Sequence, residues 1–211
     1  RCFVYTALLT IRGNHVVIDG IQVTLSRGRG IGIAGANNAL VNNVTVRNCK
    51  VYEVRSAGVH VHYANDVLVA GCEEFQAANY ATHNRSSSDL DWPVIVNSIY
   101  SQNVTFANNI VRENYGEGMA ALQLYVQRSQ NVTIDGNLLY HTGNPNFLRG
   151  GVPSSCLAIN SEAQFADSMT IKNVRVTNNI MTGCKYNVDL WGNGRTGLIS
   201  ENILIAHNTL V

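Results

Sequence analysis

Apolar and polar positions alternate along the chain in short runs built to one pattern. A motif of polar, apolar, any, apolar, any, then Gly, Asn or His occurs seven times. It opens as His15-Val-Val-Ile-Asp-Gly20, Asn43-Val-Thr-Val-Arg-Asn48, Asp66-Val-Leu-Val-Ala-Gly71 and Asn103-Val-Thr-Phe-Ala-Asn108. It continues as Asn131-Val-Thr-Ile-Asp-Gly136, Asn173-Val-Arg-Val-Thr-Asn178 and Asn202-Ile-Leu-Ile-Ala-His207. All fourteen inner positions are Val, Ile or Phe. Alternation with β-branched residues on one side is the mark of a half-buried strand, and each run is too short for a helix. A second strand is expected fifteen residues after the anchor in three turns, at Gly30-Ile-Gly-Ile33, Gly58-Val-His-Val61 and Gly118-Met-Ala-Ala121, where glycine lets the chain turn tightly.

Anchor spacings of 28, 23, 37, 28, 42 and 29 read as a minimal 23-residue coil carrying insertions. Repeats at such a period predict a solenoid, with insertions mapping to turns on one face. The expected fold is all-β: a right-handed single-stranded parallel β-helix of about seven coils, one domain over 1–211, and a rod on the order of 30 Å long. Asn109, Asn137, Asn179 and Asn208 share the position six after the anchor, with Cys49 and Cys72 there in two earlier coils. Asn is expected there because it tolerates a left-handed backbone and its amide can bond like neighbours above and below. For Cys49 and Cys72, stacked free thiols are the plainer reading and a disulfide the alternative.

Composition then narrows the class. The chain is 45% apolar and 14% charged with a formal net charge of +1, enough to bury a core and without a basic cluster for nucleic acid. No apolar run approaches the roughly 18–20 residues that cross a bilayer. Five cysteines show no CxxC pair and no histidine at zinc spacing, and their odd number leaves at least one unpaired within the chain. Of four Asn-x-Ser/Thr sequons, three fall inside the repeat and read as scaffold. Starting without Met and stopping inside a repeat, the chain reads as a fragment or processed part of a longer solenoid.

The Asn-Val-Thr-Ile-x-Gly-Asn and Gly-Ile-x-Ile elements resemble the parallel β-helix repeats of the pectate-lyase-like superfamily. That superfamily includes polysaccharide lyases, glycoside hydrolases, epimerases and phage tailspikes. The resemblance covers the whole chain but lies in the scaffold, and one scaffold hosts many activities. It implies an extracellular or cell-surface protein, with the periplasm as a further setting, whose partner is a polysaccharide or other extended glycan.

Chemistry is expected where the chain departs from the coil. The two longest insertions, within 73–93 and 141–155, flank a coil that stays short between Arg112 and Gly118, so they are expected to wall a cleft. Glu113 and Glu117, four apart across a Gly-containing turn, are candidates for a catalytic carboxylate pair, with His141 stacked beside Glu113 as proton donor or base. Asp91, Trp92, Tyr115, Tyr125, Arg149 and Lys185 are candidates for substrate binding, since aromatic faces pack on sugar rings and Arg grips carboxylates in bidentate fashion. In a lyase, Lys185 or Arg149 would be the base. The plainer alternative is that all of these are solvated turn residues. His60 and His62 alternate outward on one strand, as a metal pair would, but no third ligand accompanies them. No cofactor is required, although Asp89 or Asp91 could hold Ca2+. Two functions stay open: a carbohydrate-active lyase or hydrolase, and a non-catalytic structural or adhesive β-helix that self-associates end to end through open coils.

Overall fold

The computed structural model describes residues 7–26, 28–54, 56–76, 94–113, 117–124, 129–140, 155–161, 170–184, 186–192 and 199–211. Its described residues contain strands and no helix, so none is long and apolar enough to cross a membrane. The chain runs through three strands, Ala7–Ile11, Val16–Asp19 and Gln22–Thr24, and then repeats that circuit. The result is three sheets of seven strands each, with successive turns pairing in parallel. We call them the first, second and third sheets, in the order of those opening strands.

The repeat found in the sequence is the second sheet. Its inner pairs from Val44 and Val46 through Val174 and Val176 are buried to 3% exposure or less. Each such side chain contributes about 1.5–3 kcal/mol on leaving water. In the first and last turns the inner residues Val16, Ile18, Ile203 and Ile205 are only partly covered, because they have a stacking neighbour on one side.

The backbone explains why the anchors are polar. His15, Asn43, Asp66, Asn103, Asn131, Asn173 and Asn202 all have φ between +54 and +57. Asn, Asp and His bear the left-handed conformation at least cost among residues with a side chain. The residue five after each anchor is left-handed too (Gly20, Asn48, Gly71, Asn108, Gly136, Asn178, His207), and so are Leu25, Glu53, Gln76, Glu113 and Gly183 ten after it. Three corners per turn thus recur at fixed offsets.

Two expectations change here. The stacked asparagines six after the anchor are not the left-handed residues; those precede them by one. Nor does Gly30 serve a positive φ: a Cβ there would lie 2.6 Å from the Gly58 carbonyl oxygen, so it permits close approach of adjacent turns.

The asparagine ladder itself is present. The Asn109 Nδ2 donates to Asn137 Oδ1 at 3.0 Å, Asn137 to Asn179 at 2.9 Å, and Asn179 to Asn208 at 2.9 Å. Each Oδ1 also accepts the backbone N–H of the preceding ladder residue. A second, exposed ladder joins Asn65, Asn103, Asn131, Asn173 and Asn202 in the opposite sense, each later Nδ2 donating to the earlier Oδ1.

Cys49 and Cys72 are free and buried, as the plainer reading expected. A disulfide joins Cys156 to Cys184 across 28 residues, a pairing the spacing had not suggested. Closing a loop of that length is worth roughly 3.5 kcal/mol on the chain-entropy model. Cys156→Ser is expected to lower urea stability by about that much, and a midpoint matching that of the oxidised parent would refute the contribution.

Candidate functional site

All turns from an anchor to the tenth residue after it have one length, and variation begins beyond that point. The connections from the third sheet to the first span 25–28, 53–58, 76–93, 113–116, 141–154 and 183–185. The two long ones therefore start from and return to the same pair of sheets, on either side of the short 113–116 link. The sequence-based bounds shift slightly, since Glu73–Phe75 is a strand and Ser155 already belongs to Ser155–Ser161.

Glu113 stands at the left-handed corner where the short link begins (φ 51°). Its carboxylate is exposed and pairs with Arg112, whose guanidinium also grips Glu73 Oε1 through Nε at 2.9 Å and Nη2 at 2.7 Å. Lys50 completes this chain of charges at 3.2 Å from Glu73. Arg112 lies over the Phe75 ring at 4.2 Å, and Phe75 stacks on Tyr52 at 4.8 Å. Glu113 is thus held by a neighbouring cation on a packed aromatic ladder. Its N–H donates to the Tyr140 carbonyl oxygen, which brings it beside the residue preceding His141. Glu117 opens the strand Glu117–Leu124 opposite Val94, on the far side of the corner. Asp91, Trp92, Tyr115, Tyr125, His141, Arg149 and Lys185 lie outside the described residues, as does Asp89.

His60 and His62 do project on the outer side of the first sheet, and register places Asn97 beside His60 on the next strand. The His60 Nδ1 bonds Asn97 Oδ1. That oxygen can only accept, so Nδ1 carries the proton and Nε2 keeps its lone pair. Burial, with the nearby charges of Arg29 and His62, holds the His60 imidazole well below its usual range. Burial and then Arg29 bring His62 down to about 4. Both rings are neutral at ordinary pH and offer hydrogen bonds rather than a proton. His62 also packs on Tyr63 at 4.3 Å, and Tyr63 stacks on Tyr100 at 4.6 Å. No cluster of three His, Cys, Asp or Glu suited to a metal occurs among the described residues. Sequence reasoning missed Asn97 because Val94–Ile99 carries no glycine signal; its signal is register with His60.

A solenoid of parallel three-strand turns with its two longest connections on one corner defines the class, and the comparisons supply the family. The right handed beta helix region family matches residues 4–145, and the chain belongs to that family. Among solved structures, the pectate lyase Pel9A aligns with a TM-score of 0.57 at 11% identity, over 94% of this chain and 54% of its own. The tailspike protein gp49 from Pseudomonas phage LKA1 aligns with a TM-score of 0.54 at 14% identity, over 94% of this chain and 38% of its own. The chain thus spans about half or less of these proteins, and at such identity the likeness is one of fold. No curated protein matches it in sequence.

Proposed function

We propose that this protein is an extracellular carbohydrate-active β-helix that binds or cleaves a polysaccharide, by a lyase or glycoside hydrolase type of reaction, in a cleft between the 76–93 and 141–154 connections. The observation that carries this reading is the placement of those connections, which share one corner and bracket the short link at Glu113. Long loops on a rigid scaffold are where such folds put binding and chemistry. The Cys156–Cys184 disulfide fits an oxidising, extracellular setting.

In this reading Glu113, oriented by Arg112, acts with Glu117 and His141 in proton transfer or nucleophilic attack at the glycosidic linkage. Asp91, Trp92, Tyr115, Tyr125, Arg149 and Lys185 line the path of the glycan, with Arg and Lys suited to uronate carboxylates. Ca2+ held by Asp89 or Asp91 would assist with an acidic glycan.

Glu113→Gln and His141→Ala are each expected to cut turnover of an acidic polysaccharide by about 10²–10⁴-fold while circular dichroism stays unchanged. Full activity in both variants would overturn the cleft assignment. A parent protein inactive on, and unable to bind, a broad glycan panel would overturn the carbohydrate reading in favour of a structural or adhesive rod.

A further inference from the structure

We propose that Glu74 is a proton-operated lock inside the rod: its carboxyl, closed into the lumen without a hydrogen-bond partner, keeps the surrounding turns shut while protonated and loosens them when it ionises. Glu74 is the central residue of the strand Glu73–Phe75 and is 0% exposed. The same position in neighbouring strands of the third sheet is held by Val51 and Val111, its register partners. Farther along come Val23, Leu139 and Met181, all buried, so one carboxyl interrupts a column that is otherwise apolar.

Neither Oε1 nor Oε2 has a hydrogen-bond partner. Burial pushes the carboxyl well above its usual range and outweighs the Val59 N–H of the first sheet, which acts in the opposite sense but is not within hydrogen-bonding geometry of either oxygen. Among the described residues, the groups sharing this part of the lumen offer no opposite charge. The second sheet turns Val46, Val69 and Phe106 into the core, and the first turns Val59, Val61 and Val96. The titratable groups among them are the thiols of Cys49 and Cys72, both buried; burial pushes Cys72 up to about 12, so it stays neutral. Lys50 and Arg112 flank Glu73 and are engaged with its carboxylate, not that of Glu74. Ser98, also fully buried, has an Oγ that makes no bond. A carboxylate here would be an uncompensated charge, whereas a neutral carboxylic acid can be borne.

The direction follows from linkage. A carboxyl whose value in the folded chain lies above its value in the unfolded chain contributes stability that is fully present below the unfolded value. That contribution is lost as pH rises toward the folded value, by about tenfold in the closed-to-open ratio per pH unit. His60 and His62 act in the opposite sense: their depressed values favour the folded chain above the usual histidine range and weaken it on acidification. Glu73, Asp19 and Asp135, all lowered, also weaken it in acid. The lock is therefore read from the difference between the parent and a variant lacking only this carboxyl.

Native-state amide exchange, corrected for intrinsic rates, tests this from pH 4.5 to 7.5 in the parent, Glu74→Gln and Glu74→Leu. Relative to both variants, the opening constant of amides in Lys50–Tyr52, Glu73–Phe75 and Ile110–Arg112 is expected to rise by about tenfold per pH unit in the parent over part of that range. Amides in Ile180–Thr182 serve as an internal control and should show no such difference. Parent and variants with the same pH dependence would overturn the proposal. The leucine variant fills the column with an apolar side chain and keeps the test valid if glutamine folds poorly.

Discussion

Val132→Asp is expected to abolish cooperative folding of the turns around Asn103–Asn179 at neutral pH. Val132 is fully buried and lies in register between Val104 and Val174, themselves fully buried. An aspartate there would be a short, ionised group with apolar neighbours above and below, a change in the class that costs more than about 4 kcal/mol. Urea unfolding followed by circular dichroism should show a collapsed or broadened transition, partly restored toward pH 4 as the new carboxyl is protonated. A midpoint equal to that of the parent would refute the packing described for the lumen.

Asn137→Ala is expected to cost about 3–5 kcal/mol, although it deletes only a small amide. Asn137 Nδ2 donates to Asn179 Oδ1 and to the Phe106 carbonyl oxygen at 3.0 Å, while Oδ1 accepts from both nitrogens of Asn109. Alanine would strand the buried Asn109 backbone N–H and leave the Asn109 amide and the Phe106 carbonyl each short of a partner, and each unsatisfied buried group costs about 1–3 kcal/mol. At the last described turn Asn208 is half-buried and passes its amide to backbone carbonyls of Val176 and Ala206. Water can replace part of what Asn208→Ala removes there, so its loss should be clearly smaller. Equal costs at the two positions, measured by urea unfolding, would show that the ladder does not act through buried partners.

The anchors and the ladder were legible because a repeat states the same fact many times. Position six gave the amide stack directly, and alternation gave the inner face of the second sheet. The third sheet is equally readable: eight residues past each anchor stand Val23, Val51, Glu74, Val111, Leu139, Met181 and Leu210. One charged residue in that series marks Glu74 as buried without any coordinates. The left-handed corners were harder to place, because Asn serves both at the bend and beside it, and the pattern alone does not tell the two apart. The Cys156–Cys184 pair is hidden in the sequence because the long 141–154 connection separates Cys156 from the fixed offsets of its anchor, although register sets it level with Gly118.

The candidate site was legible only in outline. Stacking fixes which connections share a corner, so the bracketing of Glu113 could be argued from spacing alone. The fixed offsets end at the tenth residue, however, and a residue such as Arg149 inherits no position from its neighbours in other turns. The Arg112 contacts to Glu73 and Glu113 illustrate the same limit: Arg112 and Glu73 lie 39 residues apart and meet through two strands of the third sheet.

The constant offsets of the three left-handed corners also separate two rates of change in such a chain. Between an anchor and its tenth successor an added residue would throw every inward side chain out of phase, so that stretch admits substitution but not insertion. Past the tenth residue the chain can lengthen freely, as 76–93 and 141–154 show beside 113–116. The rod is in this sense a mount with an interchangeable stretch in every turn, on which segments can be exchanged between turns, or grafted from elsewhere, without redesigning the coil that carries them.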